Sequence, residues 1–125
     1  MNAGWNFSMN TTPEDLIKKV EQDYPETCAE YKRIQHEMYT LFCKKQSDYG
    51  PNNISLGSDL KTEPDIRAAL SGVIFRCNDK VQRLLNLVVK KGTIATSNEP
   101  IDDAFADLGN YAIIMSIVKR GKWCK

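Results

Sequence analysis

The sequence predicts an all-α fold, and three observations carry that prediction. Apolar residues recur with a period close to 3.6 along nearly the whole chain, and no stretch alternates as a strand would. The breaks between these stretches carry helix start and stop chemistry, at Thr12-Pro13, Tyr24-Pro25, Gly92 and Pro100. The composition, 42% hydrophobic and 26% charged over 125 residues, is that of an ordinary globular domain. That length buries a core without help from disulfides or metals.

Residues 1–12 read as an N-terminal tail and residues 13–125 as a single all-α domain. Thr12 caps a short first helix with Pro13 in its first turn. That helix carries Leu16, Ile17 and Val20 and ends before Tyr24-Pro25. The second runs from Pro25 to about Gln46 on a stripe of Tyr31, Ile34, Met38, Leu41 and Phe42. Lys44 and Lys45 suit its negative end. From Ser47 to Pro64 the chain is rich in Gly, Pro, Asn and Ser, a long loop of the kind that is functional or disordered. The third helix spans about Asp65 to Lys91, with Ile66, Leu70, Val73, Cys77, Val81, Leu84 and Val88 as its seam and Gly92 as its stop. Ser97 or Asn98 caps the fourth, Pro100 sits in its first turn and Gly121 ends it. Its seam is Ile101, Phe105, Leu108, Ala112, Met115 and Val118. The expected architecture is a bundle of three long helices plus a short N-terminal one. Ile74, Leu85, Ile113 and Ile117 exceed a single stripe, so a homodimer is expected to complete the bundle.

Several function classes are disfavoured. Lys and Arg total 17 against 16 acidic residues, a net charge of +1, without the basic excess of a duplex-binding domain. No apolar run is long enough for a membrane span, and residues 1–12 lack the makings of a secretory signal. Cys28, Cys43, Cys77 and Cys124 never form a C-x-x-C pair, which points to a reducing, cytoplasmic setting. His36, the only histidine, has no ligand-type neighbour at metal spacing, so zinc and His-based catalysis are not expected.

Three segments carry candidate chemistry. On the fourth helix Asp103 and Asp107 stand one turn apart and share a face with Asn110, Tyr111 and Ile114. Two carboxylates at that spacing suit a hard cation such as Mg²⁺. The helix dipole is a rival account that covers Asp102 and Asp103 but not Asp107, two turns in. Gly109, costly in mid-helix, signals close approach of another helix or a ligand. On the third helix Arg76, Asp79, Lys80 and Arg83 read as a face opposite the apolar seam. Either Asp79 meets a metal while Lys80 and Arg83 hold phosphate, or Asp79 bridges Arg76 and Arg83 on a solvated face. Around Gly50-Pro51, the residues Lys45, Asp48, Tyr49, Asn52 and Asn53 either read a base or ribose or satisfy a turn.

Together, the D-Y-G turn, then R-x-x-D-K-x-x-R-L-x-N-L, then N-E-P-I-D-D-A-F-A-D-L-G-N-Y-A-I-I before a Gly-Lys-Trp end, resemble the nucleotide modification associated domain 1 family, common in phage genomes. The D-x-x-x-D-L-x-N-Y-A element is also similar to the last metal-binding helix of MazG-like all-α nucleoside triphosphate pyrophosphohydrolases. The resemblance implies a dimeric helical protein that hydrolyses a nucleoside triphosphate or modified nucleotide with Mg²⁺ or Mn²⁺, in the host cytoplasm if viral. Asp79, Asp103 and Asp107 would hold the metal and its activated water. Lys45, Asp48, Tyr49, Asn53, Arg76, Lys80, Arg83 and Tyr111 would bind substrate. The chain departs from the enzyme pattern where Ala104 replaces the E-x-x-D glutamate and where the E-E-x-x-E helix has only Asp79. Two Mg²⁺ ions want about four carboxylates. That departure motivates two alternatives, a non-hydrolytic nucleotide binder serving as sensor or sponge, and a helical protein-interaction module.

Overall fold

The computed structural model describes residues 10–92 and 99–125. Regular structure among them is helical throughout, so the fold is all-α. The elements are α1 (Pro13–Asp23), α2 (Pro25–Tyr49), α3 (Asn52–Ser55), α4 (Glu63–Leu84) with a π-helical continuation over Leu85–Lys90, and α5 (Glu99–Lys119). The expected caps Ser97 and Asn98, and the first nine residues of the expected tail, lie outside the described residues. No described helix is long and apolar enough to cross a membrane.

The helix ends follow local chemistry. Thr12 Oγ1 accepts the Asp15 N–H at 3.1 Å, and Pro13 opens α1. Thr62 Oγ1 accepts the Asp65 N–H at 3.3 Å, so α4 starts at Glu63, ahead of the expected Asp65. At the other end of α2, three more residues than expected stay helical. Gly50, at φ +68°, then stops it with its N–H on the Gln46 carbonyl at 2.9 Å.

The expected loop contains a further helix. In α3, Ile54 and Ser55 are buried, and Ser55 Oγ donates to the Pro51 carbonyl at 3.3 Å. The Trp123 indole N–H donates to the same carbonyl at 3.2 Å, which ties the C-terminal end to this turn. After α3, the Leu60 N–H bonds Ser58 Oγ and the Lys61 N–H bonds Asp59 Oδ1. Side chains thus satisfy a backbone that has no ladder to join.

The chain divides into two compact units, Met1–Glu37 and Met38–Lys125. In the first, Lys32 pairs with Glu21, and the Cys28 thiol lies 3.8 Å from the Val20 carbonyl. None of the residues of α1 is buried, and Ile17, Tyr24 and Tyr31 are each more than half exposed.

The second unit holds the core: Ile54, Ala69, Val73, Ile114, Val118 and Trp123, with Phe42, Leu70 and Tyr111 packed against it. Trp123 meets Phe42 edge-on at 6.3 Å. Two expected seams are corrected here. Val81 on α4 and Phe105 on α5 are 42% and 55% exposed, and Ala112 is exposed as well. The inward line of α5 is Ala104, Asp107, Tyr111, Ile114 and Val118, at steps of three and four residues. Apolarity alone misplaces that line, because two of its members are polar.

Leu56 closes α3 at φ +56° and is 61% exposed. A branched side chain in the left-handed region costs roughly 1–2 kcal/mol, and its exposure leaves little packing to lose. Leu56→Gly should therefore stabilise the fold by about 0.5–1 kcal/mol after the entropy cost of glycine, read from the urea unfolding midpoint.

Candidate functional site

Three helices and the α3 turn converge on one cavity of about 370 Å³, within the roughly 300–1,000 Å³ range of ligand pockets. Helical spacing explains who lines it. The last two turns of α2 present Phe42, Lys45, Gln46 and Tyr49, and α5 presents Asp107, Asn110, Tyr111 and Ile114. Each set repeats at i, i+3, i+4 and i+7, one face of a helix. From α4 come Arg76 and Lys80, one turn apart, and the α3 turn adds Asn53.

The centre of the site is a shared carboxylate. Lys45 Nζ donates to Asp107 Oδ1 at 2.8 Å, and Lys80 Nζ donates to Asp107 Oδ2 at 3.0 Å. The Asp107 and Lys80 side chains are only 12% and 24% exposed while that of Lys45 is 45% exposed, so the carboxylate is partly buried and its pairing offsets that cost. Burial pushes the Asp107 carboxyl up, but the hydrogen bonds and charges of Lys45 and Lys80 outweigh it and hold the group below its ordinary value. Burial likewise pushes Lys45 down. The bond and charge of Asp107, with Tyr111 and Tyr49 adding to them, outweigh that and hold Lys45 above its ordinary value.

Around this centre, Arg76 Nη2 donates to the Asn53 carbonyl at 2.6 Å and so fixes the α3 turn at the cavity. The amide of buried Asn110 donates to the Met38 carbonyl at 3.2 Å. Beside it, a Cβ on Gly109 would collide with the end of the Met38 side chain. The close approach signalled by that glycine is therefore to α2.

Of the eleven residues assigned a role from the sequence, Lys45, Tyr49, Asn53, Arg76, Lys80, Asp107 and Tyr111 line the cavity, and Asp48, Asp79, Arg83 and Asp103 do not. Asp48 pairs with Lys44 at 3.1 Å on the surface. Asp79, Arg83 and Asp103 are exposed. The expected polar face of α4 divides here: Lys80, seven residues from buried Val73, continues the core line, whereas Asp79 turns 100° away from it. Phe42, Gln46, Asn110 and Ile114 complete the lining without having been assigned a role. Each lies three or four residues from an assigned one, which was the signal available.

These positions bear on the expected divalent ion. Both oxygens of Asp107 already accept from ammonium groups. Among the described residues, no group of three or more His, Cys, Asp or Glu stands close enough to hold a metal ion. The donor set as arranged is one carboxylate and three cations, a balance that suits an anion. No family model, no curated protein and no solved structure matches the chain.

Because the folded Asp107 carboxyl lies below its ordinary 3.8, its contribution to stability is present above that value and is lost as pH falls through the lowered one. Wild type should therefore be more stable than Asp107→Asn at neutral pH, and the gap should close below about pH 4, measured by urea unfolding across an acid series.

Proposed function

We propose that this chain binds a nucleotide in the Lys45–Arg76–Lys80 cavity and retains it without cleavage. One observation carries the reading: a single cavity joins three cations to two tyrosine rings and three side-chain amides, around one carboxylate. Cations that converge on one point suit phosphate oxygens. The rings of Tyr49 and Tyr111 offer a base a face to stack on, and Gln46 and Asn53 offer its edges donors and acceptors. Asn110 donates one amide N–H to Met38 and keeps its second N–H and its carbonyl oxygen. Phosphate, aromatic face and amide edge are together the chemistry of a nucleotide.

The residue-level resemblance to the nucleotide modification associated domain 1 family belongs to the same proposal. The hydrolytic version of it would need Asp79 and Asp103 beside Asp107, and their exposure favours retention over turnover. A chain that holds a nucleotide intact acts as a sensor or as a sponge. A panel of nucleotides at a hundred times their dissociation constant should raise the melting temperature by roughly 10 °C. Boiling should then release the ligand unchanged on anion exchange. A monophosphate and pyrophosphate released in Mg²⁺ would instead establish hydrolysis, and no shift with any nucleotide would point to a protein-interaction module.

We also propose that a second copy covers an apolar stripe on α4 and the start of its π-helical continuation. Ile74, Val81 and Leu85 are spaced by seven and four residues, and all are more than 40% exposed, on a face distinct from the one that buries Ala69 and Val73. Light scattering after size exclusion should give the mass of two chains. Ile74→Glu with Val81→Glu should give the mass of one, with circular dichroism unchanged.

A further inference from the structure

Charge and donor arithmetic narrows the ligand class of this cavity, and the step rests on the nucleotide-binding reading above. Lys45, Arg76 and Lys80 are the cations of the lining, and Asp107 is its one carboxylate, which leaves an excess of two positive charges. Other basic residues nearby lie outside the lining. Lys44 is engaged with Asp48, and Arg83 is exposed and outside the lining. The two lysines are also held together: each sits on one oxygen of the same carboxylate, at 2.8 and 3.0 Å. Both ammonium groups line the same cavity, where their remaining N–H bonds can meet phosphate oxygens.

The donors that remain are sufficient for one phosphate group. Each lysine keeps two N–H bonds after the one given to Asp107, and Arg76 keeps four of its five after the bond to Asn53. That supply saturates the three terminal oxygens of a phosphomonoester, which at neutral pH carries about two negative charges. Among the lining residues no further cation remains for additional ionised phosphates, and their charge exceeds the two positive charges the cavity has in excess. We infer that the cavity is built for a single terminal phosphate dianion, and that its ligand is a nucleoside 5′-monophosphate in preference to the di- or triphosphate.

Isothermal titration in EDTA, with the mono-, di- and triphosphates of each common base, their nucleosides and their 3′,5′-cyclic monophosphates, tests this. The monophosphate should bind at least about tenfold tighter than its triphosphate. It should likewise outbind the cyclic ester, which carries a single charge, and the nucleoside should not bind. Lys45→Ala, at a side chain 45% exposed and so tolerant of removal, should weaken the monophosphate more than tenfold while circular dichroism is unchanged. Affinity should also fall below about pH 6 as the phosphate takes up its second proton. A triphosphate that binds as tightly as its monophosphate, or tighter, overturns the inference and leaves the nucleotide reading standing. Absence of binding by every phosphate overturns both.

Discussion

The second unit of this protein is organised around one partly buried negative charge. Asp107 stands on the inward line of α5, between the buried residues Ala104 and Ile114, where an unpaired carboxylate would be costly. It is tolerated because α2 and α4 each bring an ammonium to a different one of its oxygens. The requirement runs in both directions. Lys80 continues the line of Val73 and shares the same counter-ion, so the packing of α2, α4 and α5 brings these three groups together. The cavity is what remains beside that junction.

The same junction gives the site its chemical character. A carboxylate with free oxygens attracts a divalent cation, whereas one already shared by two ammonium groups presents its partners outward as an anion site. The determining feature is therefore the company of Asp107 and not its identity. Arg76 adds to the positive character and has a structural task as well, holding the Asn53 carbonyl. The turn around Pro51 is fixed from the far side by the Trp123 indole. A segment whose composition suggests a mobile loop thus becomes a fixed wall, because two side chains distant in sequence satisfy its carbonyls.

The aromatic residues divide between these tasks. Phe42 packs on the core and meets Trp123 edge-on, while Tyr49, 66% exposed, stands at the cavity with its ring largely in solvent. Tyr111 is shared, packed against the core and lining the cavity. Rings in such half-wet positions are suited to a flat partner, since water leaves both faces on contact.

The sequence by itself determined the long helices and most of the membership of the site. Thr12 and Thr62 start helices because a hydroxyl can satisfy a free N–H. Gly50 and Gly92 sit where the chain leaves a helix, because a left-handed residue costs glycine little. The clusters around Lys80 and Asp107 were legible from helical spacing, and Tyr49 and Asn53 from the turn composition around Gly50-Pro51. Only the tertiary structure decided which face of each helix points inward. Periodicity assigned α5 the seam through Phe105 and Ala112, but the packed helix is turned so that Asp107 and Tyr111 lie in the core line instead. It also decided that Asp107 faces lysines, while Asp79 and Asp103 face water. Spacing along one helix fixes which of its own residues share a face; which charge stands opposite depends on residues 27 and 62 positions away in the chain, and that is set by packing.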